Sequence, residues 1–372
     1  MVASENVATS KAIQQRTGRT FHVATRVLPE RVRRPTYVLY AFFRVADEVV
    51  DDPDGAAPAA QRRELAAIRS RALGDASGDD WQFDDEFSEP VLDAFADLRA
   101  DYGIPASEVE TFIDAMEMDV DTSRYETHDD LETYLRGSSV AVAYMMLDVM
   151  AAGPGSDSAG PPEGMDGAAV EAARPHAKAL GEAFQLTNFL RDVREDVTEY
   201  DRIYLPRETL ETYGVSEASI RECRFTERFA AAMRAELRRT ERLYREGVAG
   251  IQYLPADCQF AVLLSAVLYA DHHRLVRARG FDTLSATPSL STRRRLSLVA
   301  RTWYHWRRTG DPEDAFYAAS AVPRTEPEAA SETEPEAAPT DEPEAAPTDE
   351  PETEVGRRGP VRSRARNAAA SL

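Results

Sequence analysis

The stretch Asn188-Phe189-Leu190-Arg191-Asp192-Val193-Arg194-Glu195-Asp196 carries two carboxylates, Asp192 and Asp196, four residues apart in a helical pattern. That spacing puts both on one helix face, and Gln185 and Asn188 extend the same stripe toward the N-terminus. Like charges so placed destabilise a helix by roughly 0.2–0.5 kcal/mol per pair, so the pair calls for solvent or a cation. Far upstream, Tyr40-Ala41-Phe42-Phe43-Arg44-Val45-Ala46-Asp47-Glu48-Val49-Val50-Asp51-Asp52 repeats the spacing with Asp47 and Asp51. Tyr40, Arg44, Asp47 and Asp51 follow a 4-3-4 rhythm on one face of a helix that is otherwise rich in Ala, Phe and Val. A polar stripe inside an apolar helix is unlike a solvated surface, and two such helices facing each other would form a cage of carboxylates.

The chain around these stripes has 372 residues, 43% of them hydrophobic, enough for one large helical domain or two ordinary ones. Its mean hydropathy is -0.46. No apolar run approaches the roughly 20 residues of a membrane-spanning helix; the stretch from Phe260 to Ala270 is interrupted by Ser265 and stopped by Asp271. Met1 to Thr9 lacks the pattern of a signal peptide. Cys223 and Cys258 are too few for a disulfide framework or a zinc site and read as ordinary thiols in a reducing cytosol. The net charge is -21, and Lys11 and Lys178 are the only lysines among 44 basic residues. Such an acidic, arginine-over-lysine surface suits a salt-rich, halophilic cytoplasm, where screening removes self-repulsion, and it speaks against nucleic-acid binding.

Residues 1–10 read as a flexible N-terminus and 11–320 as one all-α domain. Helices are expected from Lys11 to Val27; from Arg34-Pro35 to the turn Asp52-Pro53-Asp54-Gly55; from Gln61 to Leu73; from Pro90 to Asp101; and from an N-cap at Ser107 to Val120. Asp129 to Met150 is a helix with a flaw at Gly137-Ser138-Ser139, where small residues allow close approach of a ligand or another helix. Ala168 to Thr198 is one long helix, and Thr226–Gly247, Pro255–Gly280 and Ser291–Arg308 are three more. No strand pattern appears. From Thr325 the chain reads TEPEAASE, TEPEAAPT, DEPEAAPT, DEPETEVG, with twelve acidic residues and no basic one, followed by a basic end. Residues 321–372 are therefore expected to be a disordered tail, most simply a solvating one.

Facing acidic stripes suit Mg²⁺, a hard cation that takes one or two carboxylates together with substrate phosphates. Arg44 and Arg191 stand beside the acids and could grip phosphate oxygens bidentately. Tyr40, Gln185, Asn188 and Tyr204 offer neutral hydrogen bonds, and an apolar cavity would shelter a hydrocarbon tail. This describes ionisation of an allylic diphosphate with metal-stabilised departure of the leaving group. No HExxH motif, phosphate-cradling glycine loop or nucleophile elbow competes. His272 and His273, being adjacent, face different ways on a helix and read as surface residues. Trp303 and Trp306 are expected to pack or to sit at a membrane surface.

In these motifs the sequence resembles the trans-head-to-head isoprenoid synthases, the phytoene and squalene synthases, from about Arg16 to Arg301. The resemblance rests on RTFHVATRVLP at Arg19–Pro29, YAFFRVADEVVDD at Tyr40–Asp52, YLRGSSVAVA at Tyr134–Ala143 and AFQLTNFLRDVREDVTEYDRIYLP at Ala183–Pro206. Gly-Ser-Ser after Tyr134 resembles the phytoene synthase branch more than eukaryotic squalene synthase.

The resemblance implies the all-α isoprenoid synthase fold, a helical bundle with a central cavity. It implies metal-linked Asp47, Asp51, Asp192 and Asp196, with Glu48 second in rank, and Mg²⁺, or Mn²⁺ in its place. Arg44, Arg191, Arg202 and Tyr204 would contact diphosphate, and Thr20 and Phe21 match a family stretch near it. Tyr40, Gln185, Asn188, Tyr134, Val140 and Tyr269 would line the cavity or hold a cyclopropyl intermediate.

The implied reaction joins two geranylgeranyl diphosphates to phytoene through prephytoene diphosphate, the first step of carotenoid biosynthesis, without NADPH. Peripheral contact with the inner face of the cell membrane from a cytoplasmic location, and downstream carotenoid enzymes as partners, follow as expectations. The departures are Glu48 for a commoner Asp, Ala143 where Gly is frequent, and Gly18 where Ser is common. A squalene or dehydrosqualene synthase acting on C15 diphosphate is the near alternative. A non-catalytic helical assembly factor of the same fold is the remote one.

Overall fold

The computed structural model describes residues 24–51, 56–75, 81–83, 85–152 and 165–325. Thr20, Phe21, the N-terminal residues 1–10 and the acidic repeats beyond Thr325 lie outside the described residues, as does nearly all of the Lys11–Val27 helix. The described helices are α1 (Glu30–Asp51), α2 (Pro58–Ala72), α3 (Ser88–Tyr102), α4 (Ala106–Met118), α5 (His128–Leu135), α6 (Ala141–Ala151), α7 (Gly167–Glu199), α8 (Arg207–Thr212), α9 (Glu217–Arg221), α10 (Glu227–Ala249), α11 (Ala256–Ala278), α12 (Thr292–Thr309) and α13 (Pro312–Ala319). There is no strand among the described residues beyond an isolated parallel bridge between Arg124 and Ile203. The described chain is all-α, as expected.

Helix α1 begins at Glu30, a turn before the expected start at Arg34-Pro35, because the Pro29 carbonyl already accepts from the Arg33 amide at 2.8 Å. Pro35 therefore stands inside the helix, where it cannot donate to the carbonyl of Arg31. The Tyr102 hydroxyl from α3 fills that gap, donating to the Arg31 carbonyl at 3.3 Å. The expected Ser107 cap of α4 is replaced by Pro105, whose fixed φ pre-sets the helix start two residues earlier. Helices α8, α9 and α13, each eight residues or fewer, carry too short a periodic pattern to be read from sequence.

The flaw at Gly137-Ser138-Ser139 is a π-helical turn, Arg136–Val140, between α5 and α6. It exists where α4 presses closest: a Cβ on Gly137 would lie 2.3 Å from the Thr111 carbonyl oxygen and 2.5 Å from Ala115 Cβ. Of the two expected partners for that approach, another helix is the one found.

The core has three parts. Helices α1 to α6 surround Phe42, which stacks on Phe95 at 3.8 Å and leans on Phe112 at 5.4 Å. A second cluster gathers α7, α10, α11 and α13 around Tyr244 and Phe316. A third packs the C-terminal half of α7 against α10 through Val193, Phe229 and Leu237. Helix α7, about 50 Å long at 1.5 Å per residue, runs through all three. Its Asp166 cap accepts from the Ala169 amide at 2.7 Å.

Candidate active site

Helix α1 presents Tyr40, Arg44, Asp47 and Asp51, all buried. Helix α7 presents Gln185, Asn188, Arg191, Asp192 and Asp196, with Asp192 buried and Asp196 half-buried. The connector after α7 joins the two stripes. It is pinned to the segment after α4 by Ile203 N donating to Ser123 O (3.0 Å) and Arg207 N to Tyr125 O (2.9 Å). So held, Arg202 pairs with Asp51 at 3.0 Å and donates to the carbonyls of Val50 (3.0 Å) and Asp119 (3.2 Å). Arg202 also acts on Asp196, favouring its charged form. On the other side of the site, Tyr269 from α11 lies within electrostatic reach of Arg191, Tyr40 and Asp192 together. The structure thus brings the two motifs to one site through Arg202 and Tyr269.

Burial raises Asp51 and Asp196. It lifts Asp51 to about 7, against the lowering pull of Arg202. It lifts Asp196 well above the carboxylate range, with Asp192 and Glu195 pushing the same way. Arg191 stays charged because Asp192, bonded at 2.8 Å to its Nε, outweighs burial. Asp51 Oδ2 and Arg44 Nη1 are among the buried atoms with no hydrogen-bond partner. On one face of one helix, an open acceptor and an open donor fit a cation and an anion respectively.

Glu48 faces solvent and holds Arg44 Nε at 3.1 Å. No group of three or more His, Cys, Asp or Glu converges among the described residues. The donor set nevertheless fits a hard divalent cation that takes one or two carboxylates and completes its shell with substrate phosphate and water.

Sequence reading missed Asp119. It follows α4, is half-buried, accepts from the Tyr134 hydroxyl at 2.9 Å and has a second oxygen, Oδ1, that is itself buried and without a hydrogen-bond partner. Burial raises its pKa as well. It belongs to neither acidic motif, so no spacing marks it. Tyr204 stacks on Phe189 at 3.7 Å and 2°, and Tyr134 lies beside both rings.

His272 and His273 are corrected: they are 3% and 1% exposed, because α10, α12 and α13 cover α11. Burial, reinforced by Arg191, pushes His272 down to about 3. His273 Nε2 meets Thr187 Oγ1 at 3.0 Å and its Nδ1 meets Glu241 Oε1 at 3.3 Å.

An apolar cavity, open to solvent at its mouth, lies along the N-terminal part of α7. Ala143, Met146, Ala177, Gly181, Phe184 and Ala261 are among its apolar walls. The residues expected to line a cavity, Tyr40, Gln185, Asn188, Tyr134, Val140 and Tyr269, do not border this one. Those of them on α1, α7 and α11 lie toward the carboxylate end, and Tyr269 stacks on Phe184 at 4.7 Å as the partition. Along α7, Phe184 is about 12 Å from Asp192, and Ala173 about 28 Å. A polar head site and an apolar trough therefore share one helix.

Similarities outside the chain agree with this geometry. The carrot (Daucus carota) chloroplastic phytoene synthase is 29% identical over 72% of this chain and 62% of its own length. The 15-cis-phytoene synthase of Synechococcus elongatus is 29% identical over 79% of this chain and 91% of its own. The chain spans a little under two thirds of the length of the plant relatives. A solved dehydrosqualene synthase structure superposes with a TM-score of 0.67, at 24% identity, over 82% of this chain and 97% of its own. The sequence model of the squalene/phytoene synthase family matches residues 14–299, three quarters of the chain, and the protein belongs to that family.

Proposed function

We propose that the protein joins two molecules of geranylgeranyl diphosphate head to head to give phytoene. The observation that carries this is the set of raised carboxyls, Asp51, Asp119 and Asp196, around Arg202 and Arg44, at one end of a helix whose other end walls an apolar trough.

In the first step the C1–O bond of one substrate breaks and its electron pair leaves with the diphosphate. The double bond of the second substrate attacks the allylic cation, a proton is lost, and a cyclopropyl diphosphate results. In the second step that diphosphate leaves, the carbon skeleton rearranges, and loss of another proton gives the C40 hydrocarbon. Mg²⁺, held by Asp47, Asp51, Asp192 and Asp196, would neutralise charge on the departing diphosphate. Arg44 Nη1 offers a buried donor to a phosphate oxygen, and Arg191 a second cation. Tyr40, Tyr269 and Phe184 exclude water and lend ring faces to the carbocation. The names carried by the carrot and cyanobacterial relatives support the C20 substrate.

Purified protein given Mg²⁺ and C20 or C15 diphosphate, with and without NADPH, tests the reading. Phytoene from the C20 substrate without NADPH is expected. A C30 product alone would transfer the protein to the squalene or dehydrosqualene reaction, and no product from either would leave a non-catalytic helical factor.

A further inference from the structure

Helix α12, TRRRLSLVARTWYHWRRT, holds six arginines and no Asp or Glu, in a chain whose net charge is -21. Its inner face, Leu298 and Thr302, packs toward α11 and α13. Its outer face shows Leu296, Trp303 and Tyr304, which are 66%, 56% and 53% exposed. These recur at helical spacing around Ala300 and form an apolar stripe.

Half the arginines are spent inward. Arg294 pairs with Asp271 at 2.6 Å, Arg295 donates to the Leu290 carbonyl, and Arg301 to that of Ala318. Arg293, Arg307 and Arg308 stay exposed at the two ends of the stripe and make no ion pair among the described residues. A helix with Trp, Tyr and Leu on its outer face and arginines bracketing them matches an interfacial lipid-binding helix. No helix of the described residues is long and apolar enough to cross a membrane.

The position of this face matters as much as its composition. Helix α12 runs antiparallel to α11: Arg294 meets Asp271 at one end, and Trp306 meets Phe260 (6.4 Å between rings) at the other. Between these fixed points, Ala261, Val262 and Ser265 of α11 wall the apolar cavity on their inner side. Trp303, Tyr304, Arg307 and Arg308 thus belong to the cavity end of the molecule, remote from the carboxylates.

We infer that the outer face of α12 docks the protein on an anionic lipid bilayer, with Leu296, Trp303 and Tyr304 entering the headgroup layer and Arg293, Arg307 and Arg308 on lipid phosphates. That this sets the apolar trough beside the lipid into which a hydrocarbon product passes rests on the proposed reaction; the docking itself does not. The acidic repeats from Thr325 carry carboxylates that suit the arginines, but they offer the apolar stripe no apolar side chain larger than valine.

The test is sedimentation of the full chain with vesicles of equal parts phosphatidylglycerol and phosphatidylcholine, against phosphatidylcholine alone. Binding to the anionic vesicles is expected, weakened by salt. The triple variant Arg293→Gln/Arg307→Gln/Arg308→Gln is expected to lose roughly a hundredfold in affinity. Leu296→Ser/Trp303→Ser is expected to lose binding with unchanged helix content by circular dichroism. Failure to bind anionic vesicles at any salt, or undiminished binding by both variants, overturns the proposal.

Acrylamide quenching of the lipid-free chain, compared with Trp303→Phe, separates the acidic repeats. Trp303 open to quencher at low salt supports a lipid partner, and Trp303 shielded until salt is raised overturns it. Vesicle binding needs no turnover, so its failure and a failure of the proposed reaction are distinguishable.

Discussion

Arg202 Nη1 lies 3.0 Å from Asp51 Oδ1, joining residues 151 apart in the chain. Both side chains are buried, and Arg202 also faces Asp119 and Asp196. Replacing Arg202 with Met leaves buried carboxyls without their counter-charge. The expected cost is about 3–5 kcal/mol, read from urea denaturation. Arg202→Lys keeps the charge but not the fork, and should recover part of that loss. Equal stability of all three forms would remove Arg202 as the joint between the motifs.

The raised Asp51 sets a pH dependence. Its folded value is about 7 and its unfolded value about 3.9, so between those pH values the folded state holds a proton that the unfolded state has lost. Stability of the metal-free protein then falls as pH rises through this window, by an amount of order 3–4 kcal/mol from this group. Asp51→Asn should flatten the slope. Mg²⁺ should raise the melting temperature at pH 8 and have little effect at pH 5.5, where Asp51 is protonated. Calorimetry at the two pH values checks both statements.

His272 acts in the opposite direction. Its folded value is about 3, against about 6.5 unfolded, so acidification protonates the unfolded state first and stability falls as pH drops below 6.5. His272→Asn should relieve about 2 kcal/mol of that loss by pH 5, measured as the shift in urea midpoint.

Asp192→Asn should remove turnover while far-UV circular dichroism stays unchanged, because the side chain is nearly isosteric and its helix is capped and packed elsewhere. Retained turnover would detach Asp192 from the chemistry.

Ala177 walls the trough more than 20 Å along α7 from Asp192. Ala177→Phe should fill that space and lower kcat/KM for the C20 diphosphate at least tenfold, sparing the C15 substrate. Product analysis by chain length decides it.

The acidic stripes could be read from sequence because helical spacing is local, and Asp47, Asp51, Asp192 and Asp196 announce themselves by position. The long helix and the π-helical flaw were legible for the same reason. Asp119 was not, since a single acid after a helix gains its meaning from Tyr134 and Arg202 folding over it. His272 and His273 were misjudged because their burial depends on α10, α12 and α13, which no local pattern places over α11. The extent of the trough was not legible either: Gln185 and Phe184 are neighbours in sequence, yet only Phe184 borders it, and its other borders are settled by α6 and α11.

Helix α7 carries both the carboxylates and the far wall of the trough in one unbroken run of turns. Inserting a single residue between Phe184 and Asp192 would swing one end about 100° relative to the other and lengthen the run by 1.5 Å. The head site would then no longer look down the trough. Evolution can therefore retune the length of hydrocarbon held here by trading small side chains for large ones, but not by adding or removing backbone, and this segment should be barred to insertions and deletions even where its residues vary freely.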